Sequence, residues 1–178
     1  VNRVDLSIPQ GTVFGLIGSN GAGKTTLLRL LLGLHRPSAG TVHVFGEPIG
    51  PQTGRLRQRI GFLAQSGAFP PNMTAIGFLD LVGRIFGVSK GERKARLSAL
   101  LHAVDLLSAS FQRISTLSTG MKTRLGIAAS LINDPDFLMW DEPTVGLDPT
   151  GRKYTLDLIK ALKEEGKTVI LSTHILPD

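Results

Sequence analysis

The chain has no cysteine among its 178 residues. That excludes a disulfide framework and any thiolate-held metal, and it suits a reducing compartment. Aromatic residues are scarce, at 6 %, with one Trp and one Tyr. The two short basic clusters (Arg55, Arg57 and Arg59; Arg93, Lys94 and Arg96) carry no interleaved aromatics. A stacking platform for single-stranded nucleic acid is therefore not expected, and no nucleic-acid partner is expected. The formal charge of +6 leaves a solvated basic surface, an anionic membrane surface or a phosphorylated ligand open. Long apolar runs are also missing. Leu27 to Leu34 and Ile76 to Val88 are too short, or too interrupted by Gly and charge, to supply the roughly 20 apolar residues of a membrane-spanning helix. Nor do the first residues show a basic region followed by an apolar run. If the protein works at a membrane, a partner is expected to supply the span. Internal repeats and low-complexity tracts are absent as well.

What is present is an ordinary globular balance, 42 % hydrophobic and 19 % charged, enough for one folded core. Short apolar runs alternate with helical patterns, the signature of an α/β fold with a largely parallel sheet. Strands are expected at Thr12–Ile17, Thr41–Phe45, Ile60–Ala64, Phe137–Trp140 and Thr168–Ser172. Phe137 to Trp140 is continuously apolar, as for a strand covered on both faces. A helix over Thr25–Leu32 follows the first strand. Residues 74–108 read as mostly helical, with helices near Ile76–Phe86 and Glu92–Val104. A further helix starts at the capping residue Ser118, and its apolar positions Met121, Leu125, Ala128 and Ile132 follow the helical period. Asp148 and Pro149 open the last helix and Gly166 closes it.

Two segments carry chemistry. Gly18, Ser19, Asn20, Gly21, Ala22, Gly23, Lys24 and Thr25, followed by Thr26, match the phosphate-binding loop, between a predicted strand and a predicted helix. Glycines let the backbone wrap and aim N–H groups inward, and the helix N-terminus adds favourable potential for an anion. Lys24 can reach the β- and γ-phosphates as a mobile charge, and the Thr25 hydroxyl is placed for Mg²⁺. The second segment ends the apolar strand in Asp141 and Glu142, at the end where open α/β sheets bind ligands. Asp141 suits support of Mg²⁺, and Glu142 suits orienting or deprotonating an attacking water.

Four later features narrow the reading: Gln65 just past the strand at Ile60; Leu117-Ser118-Thr119-Gly120-Met121 opening a helix; Gly146-Leu147-Asp148-Pro149 soon after Glu142; and Ser172-Thr173-His174 ending the last strand. Taken in this order, the six resemble the Walker A loop, Q-loop, signature motif, Walker B strand, D-loop and switch histidine of the ATP-binding-cassette (ABC) family. The resemblance covers nearly the whole chain. It implies a RecA-like P-loop NTPase core, with a helical subdomain of about residues 74–133 inserted in it. It also implies a head-to-tail pair of cassettes that binds ATP and Mg²⁺ and powers transport through integral membrane permease subunits. The subunit would then lie on the cytoplasmic face of the membrane.

Carried over residue by residue, Ser118 and Gly120 would contact the γ-phosphate bound by the partner's Lys24. Gln65 would help ligate Mg²⁺ alongside Thr25 and Asp141. Glu142, His174 and Lys24 would do the catalytic work, and Asp148 would link the two sites. Thr119 and Met121 depart from the common Gly and Gln of the signature. With Lys122, Arg124, Leu125 and Gly126, they resemble the exporter branch that includes bacitracin-type and daunorubicin-type resistance ATPases. No aromatic upstream of Val4 can stack on adenine, and the chain stops four residues after His174. The expectation is a fragment of a longer subunit. Two alternatives stay open: a soluble cassette acting on ribosomes or DNA, and a cassette that binds ATP as a clamp without hydrolysing it.

Overall fold

A computed structural model describes residues 1–65 and 67–174. Four strands, β1 (Val13–Ile17), β4 (Ile60–Leu63), β5 (Phe137–Asp141) and β6 (Thr168–Thr173), form one sheet in the order β1-β6-β5-β4. Every pairing in it is parallel. β5 is buried along its whole length, Asp141 included, and its apolar run Phe137–Trp140 calls for that burial. Its side chains still alternate: Phe137 and Met139 join one core cluster, and Leu138 and Trp140 the other. A strand covered on both faces keeps its pleat but loses its polar partner positions.

On one face lies α1 (Lys24–Leu31), whose Leu28 packs with Ile60, Met139 and Ile170. On the other face lie α5 (Thr119–Leu131) and α6 (Pro149–Glu164), through Leu125, Ile127, Ile159 and Leu162. α5 packs closely on β4, with a glycine on each element at the contact. A Cβ on Gly61 would lie 2.0 Å from the Ser130 carbonyl oxygen, and one on Gly126 would lie 2.5 Å from Leu63 Cδ1. Beside this contact, Trp140 Nε1 of β5 donates to Ser130 Oγ of α5 at 2.9 Å in a buried bond.

Between β4 and β5 the chain is helical. α3 (Ala75–Ile85) and α4 (Lys90–Ala103) pack on each other and on α5. Each helix starts on a side-chain cap: Thr74 accepts from Gly77 N and Ser89 from Glu92 N. Arg93 lies between α3 and α4, donating to Asp80 at 2.5 Å and to the Val88 carbonyl at 2.7 Å. Asp80 also accepts from Arg84. These bonds, Arg93's foremost, hold the Asp80 carboxyl below its ordinary pKa.

One expected strand is different. Of Thr41–Phe45, only His43–Val44 (β2) is extended, and it pairs antiparallel with β3 (Glu47–Pro48), outside the parallel sheet. The hairpin turns on Phe45 and Gly46, both with positive φ, 55° and 78°. Such a turn normally announces itself through Asn-Gly or Asp-Gly, and a Phe at its first position hides it. A four-residue helix, α2 (Gly54–Arg57), follows. It is too short to show a period.

Candidate active site

All four parallel strands run the same way, so their C-terminal ends meet at one edge. The pairs Leu63↔Trp140, Asp141↔Ser172 and Ile17↔Thr173 fix this register. That edge therefore receives Gln65 after β4, Asp141 and Glu142 from β5, His174 after β6 and the loop 18–23 after β1. Strand direction alone assembles residues more than a hundred positions apart.

The loop leads into α1 through Gly23, whose φ is 96°. With Gly21 at 83°, this curl needs residues without a Cβ. Gly23 brings no side-chain cap. The first-turn N–H groups of α1 therefore remain donors for an anion, in the favourable field of the helix start. Gly18 N bonds the Thr173 carbonyl at 3.3 Å and Ala22 N bonds Ser19 O at 3.2 Å, which ties the loop to β6 and folds it on itself. Lys24 curls back across the loop. Its Nζ donates to Gly18 O at 2.6 Å and to Ser19 O at 3.2 Å, and it lies 3.5 Å from Glu142 Oε1.

Thr25, next on the helix, donates its hydroxyl to Asp141 Oδ2 at 2.6 Å. Asp141 is itself buried, and its other oxygen accepts from Ser172 Oγ at 2.5 Å. Glu142 is only 4 % exposed. His174 Nδ1 stands 3.0 Å from its Oε2. Neither that contact nor the one with Lys24 has hydrogen-bond geometry, so among the described residues both carboxylate oxygens lack a hydrogen-bond partner. Glu142 is thus flanked by two basic side chains without a hydrogen bond to either. Its backbone is unusual too, with φ at 56° for a residue that has no intrinsic liking for that region. Strain and unsatisfied polarity coincide on one side chain, a combination that clusters at functional sites.

The remaining candidates are not hydrogen-bonded into this group among the described residues. Thr26 is exposed on α1. Gln65 is exposed at the end of β4, and among the described residues no hydrogen bond joins it to Thr25 or Asp141. Ser118 is spent as the cap of α5, its Oγ accepting from Met121 N at 3.2 Å. Gly120 packs against the Gly146 carbonyl, 2.8 Å from where its Cβ would stand, and so touches the loop after Glu142 rather than the phosphate loop. Asp148 caps α6, accepting from Gly151 N at 3.0 Å. Ser172 is a site residue whose hydroxyl the sequence did not single out. Its partners become visible only once β5 and β6 are paired in register.

The family model for ABC transporters matches residues 1–145. The chain belongs to the ABC transporter family. It is 43 % identical over its full length to a Nod factor export ATP-binding protein I of Cupriavidus pinatubonensis, covering 55 % of that protein. It is 39 % identical to the linearmycin resistance ATP-binding protein LnrL of Bacillus subtilis, covering 57 % of it. The chain thus spans little more than half the length of these relatives. Among solved structures it resembles a dimeric ATP-binding cassette in a post-hydrolysis state bound to ADP and Pi. That match has a TM-score of 0.89 at 29 % identity and covers 97 % of this chain and 78 % of that one. Among the described residues of this ABC chain, no helix is long and apolar enough to cross a membrane.

Proposed function

We propose that the chain is the nucleotide-hydrolysing part of an ABC transporter subunit, and that the edge just described binds ATP and directs water onto its γ-phosphate. One observation carries this reading: Glu142 is buried, strained and short of hydrogen-bond partners, with Lys24 Nζ 3.5 Å from one oxygen and His174 Nδ1 3.0 Å from the other. A carboxylate meant only for structure would be paired off. One that must accept a proton or orient a water keeps its lone pairs available.

In the proposed mechanism the amides at the start of α1 and the Lys24 ammonium bind the β- and γ-phosphates. To do so, Lys24 gives up the carbonyls of Gly18 and Ser19, which hold it in the loop. Glu142 aligns the attacking water or takes its proton, and His174 reaches the γ-phosphate or that water from the far side of the carboxylate. The donor set fits Mg²⁺. Among the described residues no cluster of three His, Cys, Asp or Glu could cage a metal, but a hydroxyl and a carboxylate lie side by side, Thr25 Oγ1 2.6 Å from Asp141 Oδ2. Mg²⁺ is commonly held this way, by one or two protein oxygens plus the substrate phosphates. Thr25 and Asp141, with Gln65 swinging in, would hold it, and bound there it would neutralise charge on the phosphate oxygens.

A second cassette would complete the site through its own Ser118 and Gly120, a helix start that can cap an anion. Helices α3 to α5 would form the helical subdomain of about residues 74–133, and permease subunits would supply the membrane spans. The chain would then lie on the cytoplasmic face of the membrane. The relatives named for Nod factor export and linearmycin resistance support an export role. The test is steady-state ATP hydrolysis by the full-length subunit with its permease. Glu142→Gln should lower turnover by about 10² to 10⁴ while ATP still binds. Turnover at the wild-type rate would remove Glu142 from the mechanism. Tight ATP binding without turnover in the unaltered protein would mark it as a clamp.

A further inference from the structure

We infer that Ser172 is a positioning residue for hydrolysis: its hydroxyl links the carboxylate of Asp141 to the backbone of Glu142 and holds the latter in its left-handed conformation. The inference rests on the reading of Glu142 given above. Ser172 is the penultimate residue of β6, fully buried at 0 % exposure and paired in register with Asp141. Its single proton goes to Asp141 Oδ1 at 2.5 Å. Its oxygen accepts from Glu142 N at 3.0 Å, and its own carbonyl accepts from the same N–H at 3.2 Å. A Ser hydroxyl has one donor and two acceptor positions, so each of these bonds is one the group can make.

The consequence is a continuous chain of bonds. Thr25 Oγ1 donates to Asp141 Oδ2, Asp141 Oδ1 receives Ser172, and Ser172 receives the Glu142 amide. The first residue of this chain stands beside the phosphate loop and the last carries the carboxylate that faces Lys24. Glu142 has φ at 56°, a conformation that persists only where surrounding bonds over-determine it. Two acceptors from one residue, both on the Glu142 N–H, supply that constraint. Without the hydroxyl, the Asp141 oxygen loses a donor inside the protein and the amide keeps only the longer bond. Glu142 is then freer to relax away from the γ-phosphate position, while Lys24 and the loop amides assigned to the triphosphate are untouched.

The variants are Ser172→Ala, which deletes the hydroxyl, and Ser172→Thr, which restores it. Each is measured in the full-length subunit with its permease, beside wild type and Glu142→Gln. Three readouts are taken: kcat and KM for ATP, the Kd of a fluorescent ATP analogue, and Tm. Ser172→Ala should lower kcat about 10- to 100-fold, as loss of a supporting bond to a site carboxylate commonly does. Kd should stay within about twofold, and Ser172→Thr should recover most of kcat. A folded Ser172→Ala protein with wild-type kcat overturns the inference, even if its Tm is lowered, because a purely structural hydroxyl would behave that way. Should the Ala variant not fold, Ser172→Cys, similar in size with only a weak donor, is read by the same criteria. The control separates the two claims. If Glu142→Gln hydrolyses ATP as wild type does, the reading of the site fails. If Glu142→Gln is inactive while Ser172→Ala is unimpaired, only the role of Ser172 fails.

Discussion

Asp80, on the helical side of the molecule, and Glu142, at the edge of the sheet, are both carboxylates beside basic side chains, and they are treated in opposite ways. Asp80 accepts from Arg93 and Arg84, and the first of these also fastens the end of α3 to the start of α4 through the Val88 carbonyl. Its charge is consumed in holding two helices together. Glu142 is more deeply buried, has Lys24 near one oxygen and His174 near the other, and makes a side-chain hydrogen bond to neither. Its backbone is held in place while its side chain is left wanting. In one protein, then, one carboxylate is consumed by architecture, and the other is the one assigned to chemistry under the proposed function. The contrast separates them better than exposure or sequence neighbourhood does.

Mutations can break or sharpen that contrast. The largest effect is expected at the deprived site. Lys24→Ala should lower ATP turnover by about 10² to 10³, the usual loss when one charge-stabilising donor is removed, and should weaken ATP binding with it. Steady-state assays would show this, and a loss under tenfold would mean that Lys24 is not the ammonium of the site. Next comes the frame beneath it. Gly61→Ala puts a Cβ 2.0 Å from the Ser130 carbonyl, a backbone atom that cannot step aside. Overpacking of this kind costs about 1–3 kcal/mol, at about 2–4 °C of Tm per kcal/mol in a domain of this size. An unchanged Tm would show that α5 can lift off β4 without penalty.

On the helical side the effects should fall on stability and leave the chemistry alone. The Asp80 carboxyl titrates below its ordinary value because Arg93 and then Arg84 bond to it. A group depressed in the folded state stabilises it above the unfolded pKa, and that support is lost as pH falls through the folded pKa. Asp80→Asn should therefore lower Tm near neutral pH, with the difference from wild type shrinking in acid. A constant gap between the two curves would contradict this. The smallest effect is expected at the start of α4. Ser89 Oγ accepts from Glu92 N and donates to Glu92 Oε2 at 2.7 Å, a capping box that holds the Glu92 carboxyl below its usual range. Ser89→Ala should cost about 1 kcal/mol, read by denaturant unfolding, with turnover per folded molecule unchanged.

The sequence made the glycine-rich loop, the strand Phe137–Trp140 and the helix caps at Ser118 and Asp148 legible, because each rests on local chemistry: glycine curl, unbroken apolarity, an oxygen before a helix. The parallel sheet followed from the alternation of strand and helix. What stayed hidden needed partners far along the chain. The Phe45-Gly46 turn hid the hairpin, and the contact of Gly61 with Ser130 exists only once α5 lies on β4. The strained φ of Glu142 and the two bonds of Ser172 depend on the pairing of β5 with β6, which no local pattern announces. Motif order pointed to the candidate site. Only the folded register shows which of its carboxylates is satisfied.

The central claim is that Glu142 is kept short of bonds so that it can hold water against a γ-phosphate gripped by Lys24. The most direct measurement is a crystal structure of the full-length Glu142→Gln subunit with ATP and Mg²⁺. The account predicts the γ-phosphate within hydrogen-bond distance of Lys24 Nζ, and an ordered water between that phosphate and the side chain at 142. A triphosphate seated elsewhere, or the residue-142 side chain turned away from it into a satisfied pair, would contradict the account.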